Sequence, residues 1–347
     1  MRLGLALGYW GRDGGLDDLA LAVAADRIGY DVAWVAEAYS SDAVSVLGWL
    51  AGRTERISIG SAVMQIPARS PAATAMAAAT LDTLSDGRFR LGLGVSGPQV
   101  SEGWHGAPFG RPLERTREYV ETVRTVLTRS VVERAGPHYP LPLPGGPGKA
   151  LRLAFRPLRP DVPVYLAAVG DRSMALAGEI ADGWLSAFTA PSRMADSIAA
   201  LGLGRRAGRP FDVVAQVQTV VGDDPEHCAD RVRKHVALYV GGMGSSSQNF
   251  YHRLVSRMGY ERAADEVQRA YLAGDRAAAE AALPFELLDE VSLLGPVDRI
   301  AARMQAYREA GVTTLTAMLA GVEPADRQAA VEAVAAAHQQ SRMGQRG

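Results

Sequence analysis

The chain has 347 residues, 48% of them apolar and 22% charged, with 37 Lys+Arg against 38 Asp+Glu. That composition excludes a disordered chain, and the near-zero balance excludes the broad positive field of a general nucleic-acid binder. A single cysteine, Cys228, excludes an internal disulfide framework. Six histidines without HxH or HxxxH spacing offer no histidine-built site, so no metal is expected.

Short apolar runs alternate with longer alanine-rich stretches of helical spacing. Residues 2–8 read as a strand, 16–28 as a helix, 31–36 as a strand and 42–53 as a helix. A strand at 57–63, a helix at 71–85, a strand at 88–95 and a helix at 112–128 follow. The segment 130–150 contains PHYPLPLPGGPG and reads as a surface loop. Beyond it come a strand at 162–168, a helix at 172–180, a strand at 183–187, a helix at 192–201 and a strand at 212–221. Helical text then fills 226–282, broken at 241–248 by GGMGSSSQ. A helix at 295–310, a strand at 313–318 and a helix at 325–338 complete the chain.

Eight continuously apolar strands, each followed by helical text, suit a parallel sheet buried on both faces, and eight βα units point to an α/β (β/α)8 TIM barrel. An open doubly wound sheet is the alternative, but Gly8, Gly11, Gly14 and Gly15 lack the GxGxxG spacing that fold usually shows after its first strand. The opening MRLGLALGYWGRDGG lacks the h-region and cleavage site of a signal peptide. No run reaches the ~18 apolar residues of a membrane span, so a cytoplasmic protein with no membrane or nucleic-acid partner is expected.

Barrel chemistry gathers where strands end. VGDRS at 169–173 passes from a strand to a helix N-terminus, where free N–H groups and Arg172 could hold an anion; the plainer alternative is a turn capped by Asp171. LGLGVSGPQVSEGW at 91–104 offers close backbone approach and the hydroxyls of Ser96 and Ser101, or else a glycine-adapted barrel corner. Glu37, His105 and Tyr9 are candidate acid–base groups, against a solvated strand-end Glu and a surface His. Trp10, Tyr39, Trp104, Trp184 and Phe188 could wall a substrate pocket or simply pack the rim. The basic run RVRKH at 231–235 reads as a solvated helix face, and Cys228 as a buried residue rather than a nucleophile. No GxSxG elbow or GxxxxGK[ST] loop occurs.

Several segments together resemble the luciferase-like monooxygenase superfamily, in particular its branch that uses the deazaflavin coenzyme F420. They are MRLGLALGY at the start, ADRIGYDVAWVAE at 25–37, ISIGSAVMQIPARSP at 57–71 and TLDTLSDGRFRLGLGVSGP at 80–98. AAVGDRSMALAGEIADGW at 167–184 and LLGPVDRI at 293–300 complete the set. The resemblance implies one barrel domain over 1–338 with an insertion after strand seven at about 223–292, and 339–347 is expected as a disordered tail. It also implies a non-prolyl cis peptide at Ala62–Val63 behind the deazaflavin ring. Phosphate contacts would fall on Ser96, Gly97 and Ser101 and on Val169, Gly170, Asp171 and Arg172. A homodimer is a further implication.

Three departures bear on the reaction. Related alcohol and sugar-phosphate dehydrogenases often carry Asp-His where Glu37-Ala38 stands, and Glu where Pro98 stands. Arg and Lys are common where this chain has Ser246-Ser247-Gln248, which keeps FMN as an alternative cofactor. The expectation is an F420-dependent oxidoreductase that transfers a hydride between deazaflavin C5 and a small-molecule substrate, reducing an activated C=C or C=N bond. Glu37 or His105 would handle the proton. An FMN-dependent luciferase-like monooxygenase and a non-catalytic coenzyme-binding protein are the alternatives.

Overall fold

The apolar runs become staves because neither face of such a strand can meet water. The computed structural model describes residues 1–8, 15–203, 210–243 and 249–343. Its strands are β1 (Arg2–Leu7), β2 (Val32–Val35), β3 (Ser58–Ser61), β4 (Met64–Gln65), β5 (Phe89–Gly94), β6 (Val164–Ala167), β7 (Gly183–Ala187), β8 (Asp212–Val221), β9 (Ser292–Gly295) and β10 (Thr314–Leu319). The order β10-β1-β2-β3-β5-β6-β7-β8 closes through a β10–β8 pairing, with every ladder parallel. This is the expected (β/α)8 barrel.

Two short strands were not expected. β4 pairs with β5 where β3 has broken off, and β9 pairs with the overhang of β8 from Gln218↔Ser292 to Val221↔Gly295. Neither is a stave. Between β8 and β9 the chain forms helices Pro225–Ala237, Phe250–Val255, Glu261–Leu272, Arg276–Ala281 and Phe285–Glu290. They pack a second apolar cluster around Val232, Val236, Val255, Val267 and Leu287.

Large rings opposed by glycines fill the barrel. Trp34 and Tyr165 meet edge to face at 5.2 Å and 71°. A Cβ on Gly60 would lie 2.4 Å from Trp34, and one on Gly183 would lie 2.3 Å from Tyr165. At the floor, Asp212 accepts from Tyr165 at 3.0 Å and from Thr314 at 2.8 Å and pairs with Arg2 at 2.6 Å. The packed interior and this polar floor leave the open end at the carboxyl ends of the strands.

The 130–150 loop is irregular, as expected, apart from one antiparallel bridge between Arg134 and Leu141. Buried Glu118 holds it by accepting from the backbone N–H of Tyr139 at 2.6 Å and of His138 at 3.2 Å. The tail expectation is corrected in part, because the last helix runs Arg327–Met343. Arg308 holds its end by donating to the Ser341 carbonyl at 2.6 Å and hydroxyl at 2.9 Å, while 344–347 lie outside the described residues. Among the described residues no helix is long and apolar enough to cross a membrane.

Candidate active site

The mouth of the barrel is shaped by a break in its third stave. The Ala62–Val63 peptide is cis, as expected, and it divides β3 from β4. Gly92 and Gly94 of LGLGVSG make room for this break. A Cβ on Gly92 would sit 1.9 Å from the Ser61 carbonyl oxygen, and one on Gly94 would sit 2.5 Å from Val63 Cγ2. Ser61 Oγ reinforces the contact, donating to the Gly92 carbonyl at 2.8 Å and accepting from Gly92 N–H at 3.0 Å.

Glu37 lies directly behind this bulge and is buried. Its carboxylate accepts both guanidinium nitrogens of Arg69 at 2.8 Å, the Ala43 N–H at 3.2 Å and the Gln65 N–H at 3.1 Å. Arg69 also pairs with Asp42, which caps the helix Ala43–Ala51 by accepting from Ser45 N–H at 2.7 Å. Tyr119 donates to the Arg69 carbonyl at 3.1 Å. The hydrogen bond to Glu37 raises the Arg69 pKa further above its ordinary value. Four donors thus occupy the carboxylate expected as an acid–base group, two of them from one guanidinium. Its role here is to anchor the segment that leaves the bulge.

A cavity of about 160 Å³ opens above the barrel core, with Ala62 and Val63 on one wall and Phe188, His235, Tyr239 and Tyr251 on another. Phe188 stacks on His235 at 6.0 Å and 14°, and His235 lies 4.5 Å from the Tyr239 ring. Glu37, Ser186 of β7, Gln216 and Gln218 of β8 and Met318 of β10 also line it. Burial lowers the His235 pKa to about 4, so the ring is neutral at pH 7. Phe188 and Ser96 both hold left-handed backbone, at φ 54° and 60°. Such conformations are uncommon outside glycine, and two of them fall at the mouth.

A second cavity, of about 250 Å³, shares Ala187 and Phe188 with the first and extends to Val169, Asp171, Arg193 and Arg257. It meets the N-terminus of the helix Asp171–Ile180. Gly170, not Asp171, is the capping residue, and Ser173 Oγ closes that turn by donating to the Gly170 carbonyl at 2.7 Å. The first-turn amides therefore still point outward. Asp171 is exposed and pairs loosely with Arg257 at 3.5 Å, while Arg172 is exposed and lines neither cavity.

The other expected residues are dispersed. Ser101 is buried and donates to the Ala107 carbonyl at 2.8 Å, so its hydroxyl holds a loop instead of facing a coenzyme. Ser96 and Gly97 are half-buried in the turn ahead of the short helix Pro98–Gly103 and line neither cavity. Tyr39 and Trp104 are exposed on the rim, with rings 6.5 Å apart. His105 lines neither cavity, and its buried Nε2 has no partner among the described residues. Trp184 is buried and lines the second cavity, its indole N–H donating to the Ala168 carbonyl at 2.8 Å. Tyr9 and Trp10 lie outside the described residues, as do Ser246, Ser247 and Gln248.

Arg69 and His235 were missed. The reading of RVRKH as a solvated face is corrected by the burial of Val232 and by His235 lining the cavity. The signal lay in the stripe Cys228, Val232, His235, Tyr239, whose helical spacing puts all four on one face.

Fold and site together define a (β/α)8 barrel with a ligand-sized, aromatic-walled mouth. Residues 15–314 match the family model for luciferase-like monooxygenases, and the chain belongs to that family. It is 44% identical over 335 residues, covering 93% of this chain and 96% of the relative, to a Mycobacterium tuberculosis protein provisionally named a coenzyme F420-dependent oxidoreductase. It is 29% identical over 299 residues to the 5,10-methylenetetrahydromethanopterin reductase of Archaeoglobus fulgidus, covering 84% of this chain and 86% of the relative. The coenzyme F420 dependent tetrahydromethanopterin reductase from Methanopyrus kandleri shares the fold with TM-score 0.81 at 24% identity, covering 96% and 97% of the two chains.

Proposed function

We propose that this chain is a coenzyme F420-dependent oxidoreductase that reduces an activated C=C or C=N bond of a small organic substrate. The observation that carries the reading is the Ala62–Val63 bulge, a small-residue wall facing the aromatic cluster across a shared cavity. The 44% identity to a protein provisionally named for the same coenzyme supports it.

The residues present fit such a coenzyme. Ala62 and Val63 offer the small surface against which a flat ring can lie, and Gly94 lets Val63 hold its place. The first-turn amides at Asp171–Ile180, with Arg193 and Arg257 on the adjoining cavity, suit an anionic extension. When bound, the deazaflavin supplies hydride chemistry at C5. The protein contributes placement: Glu37 and Arg69 fix the bulge, and Phe188 with Tyr239 walls the facing side. His235, Tyr239 and Tyr251 are the cavity groups able to hold a proton near the acceptor atom.

The test is turnover. The full-length protein is mixed anaerobically with reduced F420 and a panel of enones and imines, and the returning deazaflavin absorbance is followed. Reoxidation dependent on both protein and acceptor is expected. Tight F420 binding with no reoxidation across the panel would overturn the reaction and leave a coenzyme carrier.

A further inference from the structure

We infer that His235 is a substrate-binding residue, and that the cavity it lines takes an uncharged, flat, conjugated carbonyl compound whose oxygen accepts a hydrogen bond from its imidazole. This rests on the oxidoreductase reading above and names the substrate class for that site.

The helix Pro225–Ala237 leaves β8 with Cys228, Val232 and Val236 buried, and His235 shares their face. The ring is held on two sides, parallel to Phe188 at 6.0 Å and against Tyr239 at 4.5 Å. That packing fixes the imidazole plane and leaves its edge for the cavity. No hydrogen bond joins the half-buried ring to another described residue, and burial lowers its pKa. Packing alone is better served by phenylalanine, so the nitrogens point to a binding task.

The charge of the lining selects the ligand. Among the described residues that line this cavity, Glu37 is the one ionised side chain, and Arg69 already neutralises it. Among the described residues no lysine or arginine lines it, so none of them offers a counter-charge to a substrate carboxylate or phosphate desolvated there. The other polar groups on the described lining are His235, the amides of Gln216 and Gln218 and the hydroxyls of Ser186, Tyr239 and Tyr251. The aromatic wall favours a flat conjugated partner.

The test uses the full-length protein, with and without F420, and two probes: 2-cyclohexen-1-one and its carboxylated analogue 3-oxocyclohex-1-ene-1-carboxylate. Calorimetry is run on wild type, on His235→Phe, which keeps the ring stack, and on His235→Gln, which restores a neutral donor. Expected are enone affinity at least tenfold weaker in His235→Phe, recovery to within threefold in His235→Gln, and at least tenfold weaker binding of the carboxylate to wild type. F420 affinity should stay within twofold throughout. Ring-nitrogen NMR of labelled wild type, in which the His235 signal should move on enone addition, keeps the test open should a variant not fold. Equal enone affinity in wild type and His235→Phe, no enone binding to wild type, or a carboxylate bound as tightly as the enone would overturn the inference. Wild type that binds the enone but not F420 would overturn the coenzyme reading alone.

Discussion

Replacing Arg69 by alanine leaves the Glu37 carboxylate behind the bulge without its bidentate partner. Glu37 has 5% of its side chain exposed and Arg69 21%, so the pair is largely dry. Removing one partner of a buried pair costs about 3–5 kcal/mol. The Ala43 and Gln65 amides still donate to the carboxylate, which places the expected loss near the lower end, about 3 kcal/mol. Urea unfolding at pH 7 reads that loss as a shift in midpoint at constant slope. An Arg69→Met, Glu37→Gln double variant should lose at least 1 kcal/mol less than the sum of its single variants, because neither then strands a charge. F420 affinity should fall about tenfold in Arg69→Ala, as the carboxylate that holds Gln65 loses the guanidinium tying it to Asp42. A loss below 1 kcal/mol, or strict additivity in the double variant, would refute the anchoring role.

Other consequences are equally direct. The His235 pKa is depressed in the folded chain to about 4 from 6.5, so between these values the unfolded chain binds a proton that the folded one does not. Stability from this group is present above pH 6.5 and lost as pH falls towards 4; from pH 7 to 4.5 wild type should lose about 2–3 kcal/mol more than His235→Phe in parallel urea titrations. Gly60→Ala drives a Cβ to 2.4 Å from Trp34 and should cost about 1–3 kcal/mol in the same assay, with partial recovery on adding Trp34→Leu. Arg172→Ala should leave F420 affinity within twofold, whereas Arg193→Ala combined with Arg257→Ala should weaken it about tenfold at low salt and less at high salt, read by fluorescence titration.

The barrel was legible because its eight staves are continuous apolar runs, a pattern that depends on local sequence and burial alone. β4 and β9 escaped because β4 is two residues long and β9 follows one residue after the helix Phe285–Glu290; pairing with β5 and β8, far along the chain, creates them. Glu37 was located correctly, but its chemistry is set by Arg69, which lies 32 residues away. Nothing near Glu37 in the chain announces that partner. Ser101 illustrates the reverse: a hydroxyl in a glycine-rich turn looks available until the fold brings the Ala107 carbonyl to it. For His235, the adjacent Arg231, Arg233 and Lys234 masked the helical stripe that places it inward. Local charge density is a poor guide to one position on an amphipathic helix.

The bulge, the aromatic wall and the adjoining helix terminus are together proposed to hold a deazaflavin. The most direct measurement is a parallel titration of the purified full-length protein with F420 and with FMN, followed by fluorescence. Saturable micromolar or tighter binding of F420, weakened by Arg69→Ala, is expected, with FMN bound at least tenfold more weakly. Micromolar binding of FMN with none of F420 would contradict that proposal.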